Sequence, residues 1–197
     1  VFLFTNTLLI LMHREIMEYD VVVVGGGPSG LATAIKFAQL NKQNNTDYSI
    51  CLLEKGSEIG AHILSGNVFQ PNALDELIPN WKELNAPLNV PVTKDKIFYL
   101  LKNIGIPVPP FVMPNLNNHG NYVISLGNLC RWLGEQAENL GVEVFPGFPA
   151  SKLIFENDEV IGVQTGDMGV SEKGELKPGH EPGIEIRAKM TILGEGC

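Results

Sequence analysis

The sequence contains few cysteines and little positive charge, and each of these two shortages excludes a class of protein. Its three cysteines, Cys51, Cys130 and Cys197, are far apart and form no Cys-x-x-Cys pair. This excludes a disulfide framework and a zinc knuckle, and favours a reducing compartment. Charged residues make up 18% of the 197 residues, and 14 Lys and Arg against 22 Asp and Glu give a net charge of −8. Because nucleic-acid-binding proteins carry a basic patch or stripe, we exclude nucleic acid as a partner.

Motifs for hydrolytic, metal-dependent and phosphoryl-transfer chemistry are also missing. The histidines His13, His62, His119 and His180 form no helical ligand pair, and the sequence has neither a Gly-x-Ser-x-Gly elbow nor a P-loop lysine motif. An organic cofactor that brings its own redox chemistry requires none of these groups. Their absence is therefore compatible with a cofactor-dependent enzyme.

The apolar stretch at the start of the chain, residues 1–12, is shorter than the roughly 20 apolar residues of a membrane-spanning helix. Its first basic residue, Arg14, follows the apolar run, whereas a secretory signal has basic residues before it. We expect residues 1–16 to be a leader or upstream extension outside the fold, with the true start at Met12 or Met17; a membrane anchor is the alternative. The chain stops at Cys197, directly after a strand-like run and a Gly-Glu-Gly, so we expect an incomplete chain.

A glycine-rich turn lies between a strand pattern and a helix pattern. Residues 19–24 are a continuous apolar run, typical of a buried parallel strand, and residues 31–38 have apolar side chains at helical spacing. Between them stands the turn Gly25-Gly26-Gly27-Pro28-Ser29-Gly30. A second strand is expected at 49–53, with Glu54 at its end. The pattern predicts an α/β fold that begins with a right-handed βαβ unit.

Each glycine of the turn has its own role in dinucleotide binding. Gly25 allows the tight turn, Gly27 lets a diphosphate approach the backbone, and Gly30 lets the helix pack closely on the strand. The start of the helix offers free N–H groups and a partial positive charge, and its first turn tolerates Pro28. Glu54 stands where a ribose-binding carboxylate is expected. The sequence thus predicts a dinucleotide site; the alternative is a glycine turn that binds nothing.

The segments after Glu54 are less regular. A short helix is expected at 73–78, and Ser65 and Gly66 are candidate cofactor contacts because ligands of open α/β sheets sit near the carboxyl ends of strands. An ordinary surface loop is the alternative. Residues 81–118 are rich in proline, with a strand pattern at 96–101. The apolar stretch 104–113 is either a membrane-facing or quinone-facing loop or a buried connection.

The last third of the chain predicts a helix, a third parallel strand and an antiparallel β-meander. The helix covers 125–140, with Cys130 on its apolar face and with Arg131 and Trp132 off that face. Arg131 is expected in a surface ion pair or, alternatively, at a cofactor diphosphate. Strands are expected at 142–145, 152–156, 160–165 and 184–188, with a polar loop at 166–183. A separate short strand at 189–193 leads to Gly194-Glu195-Gly196.

Five stretches of the chain resemble the N-terminal part of the electron transfer flavoprotein–ubiquinone oxidoreductase family. They are residues 20–35 (DVVVVGGGPSGLATAI), 52–66 (LLEKGSEIGAHILSG), 118–148, 165–169 (TGDMG) and 192–197 (ILGEGC). The resemblance implies an FAD-binding Rossmann-like fold of the two-dinucleotide-binding flavoprotein type, with a β-meander and part of a second, quinone-binding domain. It divides the chain into an FAD-binding βαβ unit with its following loop (17–80), an excursion toward the quinone-facing or membrane-facing domain (81–118) and the rest of the FAD domain (119–197).

The resemblance also implies a function. The family holds FAD, a 4Fe-4S cluster and a ubiquinone site, and it passes electrons from reduced electron transfer flavoprotein to ubiquinone. The residues expected to contact FAD are Gly25, Gly26, Gly27, Pro28, Ser29, Gly30, Glu54, Lys55, Ser65, Gly66, Gly194, Glu195 and Gly196. The family's cluster cysteines and quinone-contacting glycines lie beyond Cys197, so we expect no metal ligands and no catalytic residues in this chain.

A membrane location is implied in the same way. Residues 59–80 match a segment of the family that dips into one membrane leaflet. This implies a peripheral position on the inner membrane, at the bacterial cytoplasmic face or, as the alternative, at the mitochondrial matrix face.

Two other functions are left open by the residues. One is a cluster-free FAD enzyme, such as a geranylgeranyl reductase or an aromatic-ring monooxygenase, with its pocket sealed around an organic substrate. The other is a non-enzymatic binding module in which Glu54 and the glycines are structural.

Overall fold

The βαβ unit forms where the sequence pattern predicts it. The computed structural model describes residues 14–64, 66–113, 116–171 and 175–196. Strand β1 (Ile16–Val24) leads through the glycine turn into helix α1 (Pro28–Asn44), which returns to strand β2 (Ile50–Glu54). The two strands pair in parallel, with Val24 opposite Leu53. Their continuous apolar runs are buried because layers of the fold cover both faces of the sheet.

The remaining elements follow in chain order. They are β3 (Asn67–Phe69), α2 (Asn72–Leu77), β4 (Val90–Pro91), β5 (Ile97–Leu100), β6 (Gly105–Val108), a 3-10 turn (Pro110–Val112), β7 (Tyr122–Ile124), α3 (Leu126–Asn139), β8 (Glu143–Pro146), β9 (Ala150–Glu156), β10 (Glu159–Thr165), β11 (Met168–Val170), β12 (Leu176–Glu181) and β13 (Glu185–Leu193). Six strands form the main sheet in the order β8-β2-β1-β13-β10-β9, in which the first four are parallel and the last two antiparallel. The α/β class and the parallel sheet are confirmed.

Helices α1 and α3 cover one face of the main sheet. Leu31 and Ile35 of α1 and Leu129 and Leu133 of α3 are fully or almost fully buried in this core. Cys130 lies in the same core, and burial raises the pKa of its thiol to about 11. The interpretation of Cys130 as a packed core residue is confirmed.

The opposite face of the sheet has a smaller core. It contains Val22, Val24 and Leu53, together with Val163 of β10 and Cys51 of β2. Burial, with the nearby Glu143 carboxylate, raises the pKa of the Cys51 thiol to about 12. Cys51 of β2 points into this smaller core, whereas Cys130 of α3 lies in the core on the other face. The sheet therefore separates the two thiols.

One strand replaces the two that the sequence predicts near the end of the chain. The prediction of a meander strand at 184–188 and a separate strand at 189–193 is wrong, because β13 is continuous. Its first three residues pair antiparallel with β10, and the strand pairs parallel with β1 from Glu185 to Leu193. The charged residues Arg187 and Lys189 interrupt the apolar pattern, but both side chains are exposed on the strand and do not end it.

The polar stretch 166–183, predicted as a loop, contains the hairpin β11–β12. Asp167 accepts a hydrogen bond from the Gly183 N–H at 2.8 Å and pairs with Arg14 at 2.7 Å. These contacts join residues that are distant in sequence, so no local pattern indicates them. Arg14 and Glu15 of the expected N-terminal extension therefore contact the fold. The backbone carbonyl of Glu15 accepts a hydrogen bond from the Glu185 N–H at 2.8 Å. Residues 1–13 lie outside the described residues, as does Cys197.

The ends and faces of the helices show two further features. Helix α1 ends at Asn45, which takes the left-handed conformation of a C-cap (φ 53°). Trp132 lies off the predicted apolar stripe of α3 but is buried in the main core. Its Nε1 donates a hydrogen bond to the Leu84 carbonyl at 3.0 Å. The division of the chain after residues 80 and 118 remains a prediction.

Large apolar side chains are exposed along the β5–β6 hairpin and the residues that follow it. Leu100 is 78% exposed and Phe111 83%, and Tyr99, Ile104 and Ile106 are also exposed. By contrast, the segment 59–80 contributes Ile59, Leu74 and Ile78 to the main core. Within the described ranges, no helix combines the length and apolar character needed to cross a membrane.

Candidate functional site

The ends of three parallel strands meet at the glycine turn. The Gly25 N–H donates to the Leu53 carbonyl at 2.8 Å, and the Gly194 N–H donates to the Val24 carbonyl at 2.7 Å. The carboxyl ends of β1, β2 and β13 are thereby joined at one edge of the sheet. This is the edge at which open α/β sheets bind ligands.

Three of the predicted glycines stand where backbone segments touch. Gly25 has φ +108°, a conformation that other residues rarely adopt, and a Cβ placed on it would lie 2.6 Å from the Gly194 carbonyl oxygen. A Cβ on Gly30 would clash with the Gly25 carbonyl oxygen, and one on Gly194 would lie 3.0 Å from the Gly30 Cα. Gly25 therefore forms the turn and Gly30 permits close packing, as expected, and Gly194 belongs to the same contact.

Gly27 is different because the space beside it is open. No described atom lies within 4 Å of a Cβ built on Gly27, whose φ of −82° suits any residue. Gly27 is also the N-cap of α1, and none of the described side chains caps that helix start or adds an acidic group to its first turn. The N–H groups and the partial positive charge of the first turn are thus available to an anionic ligand.

The Glu54 carboxylate is held at the edge of the same opening. Its Oε2 accepts the Gly26 N–H at 2.8 Å, and its Oε1 accepts the Gly56 N–H at 2.6 Å. A carboxylate has about four acceptor positions, so both oxygens can still accept further hydrogen bonds. A rigid carboxylate with spare acceptors suits the two neighbouring hydroxyls of a ribose.

A cleft of about 360 Å³ lies over the turn and brings most of the predicted residues together. The predicted residues that line it are Gly25, Gly27, Pro28, Ser29, Glu54, Lys55, Gly194, Glu195 and Gly196. Gly26, Gly30 and Gly66 are not among the described residues of its lining, and Ser65 lies outside the described residues. Gly26 and Gly30 instead support the turn through Glu54 and Gly25.

The sequence analysis did not predict two of the walls of the cleft. Gly60, His62 and Ile63 line it from the loop after β2, and residues 148–150 line it between β8 and β9. The position of the two loops in the sequence could have indicated these walls, because each loop follows the carboxyl end of a parallel strand. Their side chains alone have no pattern that indicates a site.

Arg131 forms the surface ion pair rather than a cleft contact. Its guanidinium lies 3.0 Å from the Glu58 carboxylate, with both side chains largely exposed. It is not among the described residues that line the cleft. In the described ranges, no three His, Cys, Asp or Glu side chains come together as a metal site would require.

A strand, glycine turn and helix with a carboxylate at the end of the next strand are the arrangement of a Rossmann-like fold. A family model described as an NAD(P)-binding Rossmann-like domain matches residues 23–83. More particularly, the chain is similar over almost its whole length to proteins named electron transfer flavoprotein–ubiquinone oxidoreductase. It is 56% identical to the protein of that name from Pseudomonas aeruginosa and 50% identical to the mitochondrial one from Bos taurus, in each case over 94% of the chain. It spans only 34% and 30% of these relatives' lengths.

Solved structures support the fold. A geranylgeranyl bacteriochlorophyll reductase-like protein from Thermoplasma acidophilum superposes with a TM-score of 0.65 at 24% identity, covering 92% of this chain and 40% of that one. A p-nitrophenol 4-monooxygenase from Pseudomonas putida superposes with a TM-score of 0.59 at 20% identity, covering 92% of this chain and 42% of that one. At these identities the likeness shows the Rossmann-like fold.

Proposed function

We propose that the cleft over the glycine turn binds FAD. The observation that carries the proposal is the combination of an open Gly27, an uncapped α1 start and a Glu54 carboxylate fixed at the same edge. These groups match a diphosphate linked to a ribose. The cleft volume lies within the roughly 300–1,000 Å³ of ligand sites, although it is open at one side.

Contacts around the cleft suggest how the cofactor would lie. Glu54 lies beside Phe148, whose N–H donates to the Glu54 carbonyl at 3.0 Å, and we assign the adenosine ribose to this carboxylate. We assign the diphosphate to the helix start at Gly27, Pro28 and Ser29. The turn Gly194–Gly196 also lines the cleft and, by the resemblance, would contact the flavin half of the cofactor.

We propose that the chain is the FAD-binding part of an oxidoreductase that passes electrons from reduced electron transfer flavoprotein to ubiquinone. This rests on the names of relatives that are 49–56% identical to it. A bound flavin supplies the electron-transfer chemistry, so the described residues need only bind it, orient it and tune its surroundings. A cluster-free reductase or monooxygenase is less well supported, because the solved relatives of those kinds are at most 24% identical.

The described residues do not suit a 4Fe-4S cluster. Cys51 and Cys130 are buried on opposite faces of the sheet, and both thiols remain protonated near neutral pH. We therefore assign neither the cluster nor the ubiquinone site to these residues. Both would belong to the portion of the longer relatives that this chain does not match.

We propose a peripheral membrane contact through the β5–β6 hairpin and the turn after it. Large apolar side chains are exposed there, whereas Ile59, Leu74 and Ile78 of the segment first expected at the membrane are buried in the core. Apolar side chains held out of a core contribute to binding when lipid covers them. The contact would make the protein a peripheral membrane protein, and the inner membrane is the location that the resemblance implies.

FAD titration of the purified chain tests the proposed site. We expect the chain to bind FAD, and Gly27→Val to reduce the affinity at least tenfold, because the valine side chain occupies the space for the diphosphate. Gly27→Ala, with a smaller side chain, should have a smaller effect. The thermal unfolding midpoint of both variants should match that of the unchanged chain, because φ and the free space at Gly27 tolerate a side chain.

Two negative results of the FAD titration would have different meanings. If Gly27→Val binds FAD normally, the diphosphate position is wrong. If the unchanged, folded chain takes up no flavin, the FAD proposal fails for this chain, and absence of flavin from a protein of the relatives' full length would favour the non-enzymatic module.

A further inference from the structure

The loop that follows Glu54 is anchored firmly over the glycine turn. Ile59 is buried, and its Cδ1 would lie 2.6 Å from a Cβ placed on Gly26. Gly60 has φ +84° and lies so close to Gly127 of α3 that a Cβ on it would clash with the Gly127 carbonyl oxygen. The Ile63 N–H closes a turn onto the Gly60 carbonyl at 3.3 Å. The residues between these anchors are therefore held in place against the cleft.

His62 lies between these anchors and lines the cleft together with Gly27, Pro28 and Ser29. Its side chain is exposed, and within the described part of the chain its ring forms neither a hydrogen bond nor an ion pair. An exposed imidazole on an anchored loop, directed into a ligand cleft, is available to a ligand.

The cleft is lined by two side chains that can carry a positive charge, Lys55 and His62, and by two carboxylates, Glu54 and Glu195. Lys55 directly follows the carboxylate assigned to the ribose, whereas His62 lies on the loop that packs against Gly26 and Gly127. On the neighbouring elements, Glu58 of the same loop and Arg131 of α3 neutralise each other in their ion pair. The glycine turn contributes N–H groups but no side-chain charge.

We propose that His62, in its protonated form, binds the diphosphate of the dinucleotide held at the glycine turn. The inference rests on the proposed function and adds a residue that the glycine motif does not include. Histidine changes charge between about pH 5 and 8, so this contact makes dinucleotide affinity depend on pH in that range. The affinity is highest when the imidazole is charged, because a cation attracts the diphosphate and hydrogen bonds between charged groups are the stronger ones.

The test is a set of FAD titrations of the full chain from about pH 5.5 to 8, followed by quenching of flavin fluorescence. The unchanged chain should bind FAD about fivefold more weakly at the upper end of the range, the size expected of an exposed ion pair. His62→Gln, which keeps a hydrogen-bonding group without the charge, should bind weakly throughout with little pH dependence. His62→Lys should bind tightly throughout, also with little pH dependence.

A matched control and a direct readout complete the design. His119 is another exposed histidine, and it lines a different cavity beside β5. His119→Gln should keep the affinity and the pH dependence of the unchanged chain. The ³¹P resonances of bound FAD should shift with pH in the unchanged chain and not in His62→Gln, because a purely structural histidine would not act on the phosphorus nuclei.

The outcomes separate the two proposals. If His62→Gln binds FAD with the affinity and pH dependence of the unchanged chain, the His62 contact is overturned and the FAD site stands. The same conclusion follows if His62→Lys fails to restore affinity while its unfolding midpoint is normal. If the unchanged chain binds no FAD at any pH, the proposed function and this inference fall together.

Discussion

At the scale of single residues, Glu54 has a structural role that requires no ligand, in addition to the contact proposed with a ribose. Its carboxylate accepts the N–H groups of Gly26 and Gly56 before any ribose is present. Its backbone carbonyl also accepts the Phe148 N–H at 3.0 Å. The carboxylate thus joins the glycine turn to the loop after β2, and its orientation toward the cleft is set by the protein itself.

Glu54→Ala should therefore destabilise the chain even without FAD. Loss of the carboxylate leaves two partly buried N–H groups without their acceptor, which costs about 1–3 kcal/mol. Glu54→Gln, which keeps one acceptor oxygen, should lose less. The free energy of unfolding in urea, measured on flavin-free protein, gives both values, and FAD titration of the same variants should show weakened retention.

Glu58→Ala is the matched control for this prediction. Glu58 lies in the same loop but forms an exposed ion pair with Arg131, so its removal should cost less than about 1 kcal/mol. Equal stability of the Glu54→Ala and Glu58→Ala variants would show that the Glu54 contacts are not structural. Unchanged FAD occupancy in Glu54→Ala would exclude its role at the ribose.

At the scale of elements, the β5–β6 hairpin differs from the helices and from the main sheet. The helices turn their apolar faces to the core, whereas the hairpin and the following turn expose theirs. A two-stranded hairpin has little core of its own. Its exposed apolar side chains are the groups that lipid would cover in the proposed membrane contact.

Replacing Leu100 and Phe111 together by Asp should lower binding to phospholipid vesicles about tenfold or more. Each side chain is mostly exposed, and burying a large apolar side chain contributes about 1.5–3 kcal/mol. Co-sedimentation with vesicles of zwitterionic lipid measures the effect without repulsion from the negative net charge of the chain. The unfolding midpoint should not change.

Two further variants locate the contact. Phe155→Asp removes an exposed aromatic ring from β9, away from the hairpin, and should not affect vesicle binding. Leu64→Asp removes the most exposed apolar side chain of the segment 59–80. If only the Leu64→Asp variant loses vesicle binding, the segment 59–80 makes the membrane contact. That result would contradict the assignment of the contact to the hairpin.

At the scale of the whole molecule, three titratable groups are buried in the two cores. Burial raises the pKa of Cys51 to about 12 and that of Cys130 to about 11, and burial with the Glu143 hydrogen bond raises the pKa of Tyr19 well above its ordinary value. In the unfolded chain the thiols ionise near the ordinary pKa of 9.0. The unfolded state thus binds fewer protons than the folded state above that pH.

The contribution of these three groups to the free energy of unfolding should accordingly be constant between about pH 6 and 8, and the free energy of unfolding should fall as pH rises above about 9. Urea unfolding at a series of alkaline pH values measures this decline. Replacing Cys51 by Ala should make the decline shallower, although it lowers stability at neutral pH by leaving a small cavity. A decline of equal slope in that variant would show that Cys51 does not contribute.

Thiol alkylation gives an independent measurement of the same burial. Near pH 8, Cys51 and Cys130 should react with iodoacetamide only when the chain unfolds, because both are protonated and enclosed. Mass spectrometry of peptides separates these two sites from Cys197. Rapid labelling of either buried thiol in the native chain would contradict the described cores.

The sequence by itself determined the parts of this protein that depend on neighbouring residues. The β1–α1–β2 unit, the amphipathic α3 and the roles of Gly25 and Gly30 follow from local periodicity and from turn chemistry, which few residues encode. The predictions made from resemblance, including FAD, electron transfer flavoprotein and ubiquinone, required comparison with relatives rather than physical inference from the chain.

The tertiary structure alone decided the features that join distant residues. Local patterns could not show that β13 is one strand, that Gly194 packs on Gly30, or that Trp132 is buried with its Nε1 bonded to the Leu84 carbonyl. Nor could they show that His62 and residues 148–150 form walls of the cleft. The physical reason is the same in each case: these contacts depend on which strands and loops become neighbours in the sheet, and apolar periodicity specifies the face of an element but not its partner.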